Sequence, residues 1–284
     1  MLDWNGSGLM TLASEKQKPD AGGLAAFRSS RVRWSIRVGL AILVMLVLVP
    51  AIDLSVSKLF FDPGTGFIWR NQPVPETVHN AIQILARVIG TVTALAFIYT
   101  AVLYVRSKTP ATLLWLGPKS WAFLLLGLVL GPGLVANVVL KDMWNRARPV
   151  QVAEFGGSQY YSPPMVLSNQ CEKNCSFVAG DAAMGFYLQI LAYVVARRFS
   201  GPLLAAGMAA GLGAGLLRIG MGAHFFSDVI YAGVFMTLTI AGLHAALFGP
   251  DQTLGRWRRW TPWCDSRWPV LGCRSPVSSG GGQP

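Results

Sequence analysis

Six runs of mostly apolar residues, each near the length that crosses a bilayer, constrain this chain more than anything else in it. They span about Val38 to Val56, Val88 to Val105, Trp121 to Leu140, Ala182 to Ala196, Leu203 to Ile219 and Val229 to Phe248, each bounded by Arg, Lys, Pro or Gly. A hydrocarbon core of roughly 30 Å needs about 20 such residues per helix, because backbone in lipid must satisfy its own hydrogen bonds. Only 13% of the 284 residues are charged, against about 25% in a soluble domain, which excludes one soluble core of this length. The expected fold is all-α: a polytopic membrane protein with about six transmembrane helices over residues 38–250.

The flanking segments differ from this core. Residues 1–37 are rich in Gly, Ser, Ala and basic residues without apolar periodicity, which predicts a disordered basic tail. Residues 251–284 interleave Trp257, Trp260, Trp263 and Trp268 with Arg256, Arg258, Arg259 and Arg267, a mixture suited to lipid headgroups. Basic clusters before the first run, after the second, after the fourth and after the sixth all fall on one side of the membrane. The positive-inside rule makes that side cytoplasmic, with both termini there, in a multi-pass protein of the inner (plasma) membrane. The net charge of +11 is then mostly topological, which favours contact with anionic membrane lipids and argues against nucleic acid.

Charged residues left on the outer, periplasmic side form three segments. Lys141 to Pro149 reads K-x6-R-P, Cys175 to Asp181 reads CSFVAGD, and Arg218 to Asp228 reads R-x5-H-x3-D. Together they resemble the signature of the type 2 phosphatidic acid phosphatase superfamily: K-x6-R-P, then P-S-G-H, then S-R-x5-H-x3-D. The first and third segments agree at every charged position. In the second only Gly180 agrees, with Val178, Ala179 and Asp181 where the family has Pro, Ser and His; Leu217 stands where the third has Ser.

The resemblance implies a phosphatidic acid phosphatase-like helical bundle that cleaves a lipid phosphate without a metal or other cofactor. Lys141, Arg148 and Arg218 would spread three cations around a phosphoryl group, and His224 would attack phosphorus to give a phosphohistidine. Asp228, one helical turn on, would hold the Nδ1 proton of His224 and leave Nε2 to attack, or merely cap the sixth helix. Gly180 would let backbone amides approach the phosphate, or only allow close helix packing. Asp181, at the family's general-acid position, is a candidate proton donor, which requires a raised pKa that nearby Arg and Lys oppose.

Other residues carry weaker readings. Cys171 and Cys175 precede the second segment and are expected to form a short disulfide, the alternative being two free thiols. Four Cys without His or Cys companions give no zinc pattern. His79 and His244 read as structural, and Arg146 as a surface or headgroup contact. Pro75 to Arg87 alternates polar and apolar positions like an interfacial helix, with Arg87 a snorkelling anchor or a ligand for a second anionic group. The expected function is a membrane lipid phosphatase at the outer face. Candidate substrates are a polyprenyl diphosphate, phosphatidylglycerol phosphate, phosphatidate or lipid A; the alternatives are a noncatalytic phospholipid binder and a lipid phosphotransferase.

Overall fold

The computed structural model describes residues 40–41, 43–49, 51–107 and 111–249; the expected tails, 1–37 and 251–284, lie outside them. The molecule is a helical membrane protein. Helical turns at 43–48 lead into α1 (Ala51–Lys58), and a small hairpin follows, β1 (Phe61–Asp62) paired antiparallel with β2 (Gly66–Phe67). Then come α2 (Pro73–Ser107), α3 (Pro118–Leu128) continued by a π-helical stretch Val129–Leu140, and the short α4 (Lys141–Trp144). After a long loop, α5 (Gly180–Tyr187) and α6 (Leu191–Val194) are joined by a 3-10 turn, and α7 (Arg197–Gly220) and α8 (Phe226–Phe248) complete the bundle.

Among the described residues four helices are long and apolar enough to cross a membrane: Pro73–Ser107, Pro118–Leu140, Phe199–Gly220 and Phe226–Phe248. Of the expected first run, residues 43–48 and 51–56 are helical, and the fourth is made of short helical pieces that end at Val194, so about six remains an approximate count. The expected interfacial helix is not separate. It is the opening of α2, whose 35 residues extend about 50 Å at 1.5 Å per residue, beyond what the hydrocarbon needs.

Helices in lipid associate by close packing of small residues. Central α5 is buried at every residue from Asp181 to Tyr187. A Cβ on its Gly185 would lie 2.6 Å from Gly211 Cα of α7, so these two backbones touch because neither carries a side chain. Phe177, Phe186, Tyr231 and Met236 fill one side of α5; Trp121, Phe123, Tyr187, Ile190 and Tyr193 fill the other. Large apolar side chains such as Leu95, Ile98 and Leu238 face outward, where the solvent is lipid.

A third cluster, Phe67, Ala147, Val152, Phe155 and Phe225, caps one end of the bundle. It fixes the turn between α7 and α8. Trp69 N–H donates to the Gly220 carbonyl at 3.2 Å, and Val150 N–H to the Gly222 carbonyl at 3.1 Å. Gly222 has φ +66° and lies under the Phe67 ring, a position with neither the conformation nor the space for a Cβ.

Candidate active site

The three segments singled out in the sequence meet beneath this cap, laced by their own backbones. Ser176 N–H donates to the Arg146 carbonyl at 2.8 Å, and Ala179 N–H to the Asp228 carbonyl at 3.3 Å. His224 Nδ1 lies 2.6 Å from the Ser176 carbonyl oxygen. A carbonyl can only accept, so Nδ1 carries the proton and Nε2 keeps its lone pair.

The orienting acceptor therefore differs from the expected one. Asp228 Oδ2 is 3.8 Å from His224 Nδ1, too far for a hydrogen bond. It accepts instead from Ser176 Oγ at 2.5 Å and from Phe225 N–H at 2.8 Å, closing the first turn of α8. Burial pushes the His224 pKa down to about 4, and nearby Lys141 and Arg148 add to the shift while Asp228 opposes it. A neutral imidazole is the form that can attack.

Arg146 is a correction to the sequence reading. It is 0% exposed, not at the surface. Its Nε donates to the Ser162 carbonyl at 2.8 Å, its Nη1 to Ser227 Oγ at 3.0 Å and to Asp228, and its Nη2 to Asp53 at 2.7 Å and Tyr161 at 3.2 Å. Asp53 in turn accepts from Ser227 N–H and Oγ. Burial works against the guanidinium charge, but the carboxylates of Asp228 and Asp53 overrule it and raise its pKa. Neither the pairing nor Asp53 was found from sequence. The available signal was an acid inside an otherwise apolar run, which implies an internal partner.

Beside this closed network lies an open cavity of about 750 Å³, and every expected phosphate-site residue except Asp228 lines it: Lys141, Arg148, Gly180, Asp181, Arg218 and His224. The π-helical stretch contributes Pro132, Gly133 and Asn137, and Lys141 follows it at the start of α4. Such widened turns recur at functional sites, and here Asn137 Nδ2 donates to the Pro132 carbonyl at 2.6 Å. A Cβ on Gly180 would lie 2.8 Å from Asn137 Oδ1, so this glycine lets the start of α5 approach Lys141. Arg148 donates through Nε and Nη2 to the Asn174 carbonyl at 3.1 and 2.7 Å. Burial and neighbouring Arg218 lower its pKa, and the carboxylates of Asp228 and Asp181 oppose the shift.

The Cys171–Cys175 disulfide is formed and spans Asn174, the residue that holds Arg148. Asp181, 4% exposed, is surrounded by donors: Gln83 Nε2 and His79 Nδ1, each at 2.6 Å. Arg218 Nε is 3.3 Å away, an ion pair without hydrogen-bond geometry. His79 was read as structural, yet it lines the cavity with Gln83 and Arg87. His244 is buried among Phe123, Tyr193 and Phe248, remote from the cavity lining. Among the described residues no group of three or more His, Cys, Asp or Glu side chains is placed to hold a metal ion.

Residues 120–250 match the family model described as the PAP2 superfamily. The chain is similar to a protein named lipid A 4'-phosphatase from Francisella tularensis subsp. novicida, 44% identical over 46% of this chain and 59% of the relative. Proteins of the same name from Rhizobium leguminosarum and Rhizobium etli are each 36% identical over 42% of this chain, covering 51% and 46% of their own lengths. The chain thus spans about half the length of the curated relatives it matches. No solved structure matches it.

Proposed function

We propose that this chain, which belongs to the PAP2 superfamily, is a membrane lipid phosphatase that removes phosphate from a lipid phosphate at the outer face of the inner membrane. The observation that carries this reading is one cavity lined by Lys141, Arg148, Arg218 and His224. Three cations match a phosphoryl group whose charge grows over its oxygens in the transition state. His224 Nε2 attacks phosphorus, and water then releases phosphate from the phosphohistidine. Apolar helix faces around the site supply a surface for the lipid's tails.

Lipid A is the favoured substrate, at its 4'-phosphate, on the names of the relatives. The outer face is favoured by the distribution of Arg and Lys along the chain. Residues 38–250 would form the catalytic unit, with the basic tails on the cytoplasmic side. The test is phosphate release by purified protein in detergent over lipid A, a polyprenyl diphosphate, phosphatidate and phosphatidylglycerol phosphate. Release from lipid A above the rest is expected. Affinity for these lipids without release from any would replace the enzyme with a binding protein.

A further inference from the structure

We propose that His79 is the proton donor to the leaving group, aligned by Asp181; this rests on the phosphatase reading above. The position at which the resembling family carries a histidine is Asp181, and here the carboxylate is committed as an acceptor. Its Oδ1 takes a hydrogen bond from Gln83 and its Oδ2 one from His79 Nδ1, with Arg218 alongside. With one oxygen turned to each of these side chains, Asp181 is placed to hold the imidazole.

The imidazole is instead supplied from another helix. His79, Gln83 and Arg87 recur every four residues on α2, share one helical face, and line the same cavity as His224. With Nδ1 directed at Asp181, the free ring nitrogen is Nε2, and the side chain is 29% exposed and so reachable by substrate. The charged groups around it are Asp181 on α5, bonded to the ring, and Arg87 on its own helix. Lys141, Arg148, Arg218 and His224 line the same cavity. Histidine is the side chain that gives and takes protons near neutral pH.

The step balances without a further reactant. As His224 Nε2 bonds to phosphorus, the bond from phosphorus to the leaving oxygen breaks, and that oxygen takes the proton from His79 Nε2. Neutral His79 then takes a proton from the water that attacks the phosphohistidine. Phosphate departs, the nitrogen–phosphorus electron pair returns to His224, and His79 is protonated again.

The test compares wild type, His79→Gln and Asp181→Asn, as full chains in micelles, on dodecyl phosphate and on a phenyl phosphate carrying the same tail. An alkoxide needs a proton to leave and a phenolate much less. His79→Gln should slow the alkyl ester by about 10²–10³-fold and the aryl ester by less than about fivefold. Asp181→Asn should act in the same direction but less. The alkyl-to-aryl ratio within one preparation is independent of how much of the variant is folded. Equal slowing of both esters, or none, with an active wild type overturns the His79 role alone. A wild type that releases phosphate from neither ester and not from lipid A removes the phosphatase reading, and this proposal with it.

Discussion

The cluster around Arg146 and the cluster around Arg218 use the same residue types within one end of the bundle, yet one is closed and the other open. Arg146 spends all three guanidinium nitrogens on protein acceptors, two of them the carboxylates of Asp53 and Asp228. Arg218 has a single carboxylate alongside at 3.3 Å and lines a cavity. Arg148, beside it, bonds to a backbone carbonyl. A buried cation with its partners built in fixes geometry, whereas cations that line a cavity are placed to meet an anionic group. Ser176 and Asp228 join the two: Asp228 belongs to the closed network, and Ser176, bonded to it, orients His224 in the open one.

Breaking the closed cluster should have the largest effect. Arg146→Met leaves two buried carboxylates unpaired and should cost about 3–5 kcal/mol, read by denaturant unfolding in micelles. Adding Asp53→Asn should recover part of it. A loss near zero would mean that the network does not hold the fold.

In the open cluster the cost should fall on catalysis. Lys141→Ala, Arg148→Ala and Arg218→Ala should each lower kcat by about 10²–10³-fold and leave the unfolding midpoint nearly unchanged. Equal losses of substrate affinity and kcat would make these residues anchors only.

The link between the clusters sets a pH signature. His224 has its pKa lowered from 6.5 to about 4 by burial. Above pH 6.5 it is neutral folded or unfolded and contributes nothing. As pH falls from 6.5 to 4 the unfolded chain binds a proton that the folded chain refuses, so stability falls, by about 3 kcal/mol at 1.36 kcal/mol per unit. His224→Gln should remove that slope, measured as the difference in unfolding free energy from wild type between pH 7 and pH 4.5. An unchanged slope would mean that the imidazole is not held neutral.

The open cluster was largely legible in the sequence and the closed one was not. Lys141, Arg148, Arg218 and His224 stand in two short segments that resemble a family signature, and charges at the ends of apolar helices have few alternative jobs. Arg146 and Asp53 are 93 residues apart, and His79 and Asp181 are 102 apart. Nothing local in the chain records such pairings. The apolar runs announced the helices, but the polar stripe of His79, Gln83 and Arg87 looked like an interface, because its partner was an acid on a distant helix. The π-helical stretch at Val129–Leu140 also has no period of its own in an almost wholly apolar sequence. Only Pro132 between two glycines hinted at it.

The most direct test of the account is chemical capture of the intermediate. Wild-type protein mixed with lipid A radiolabelled in its phosphates and quenched in alkali, where phosphohistidine survives, should carry label on the peptide containing His224. His224→Ala should carry none, release no phosphate, and still insert in the membrane. Phosphate release that persists in His224→Ala, or label on a different residue, would contradict the account.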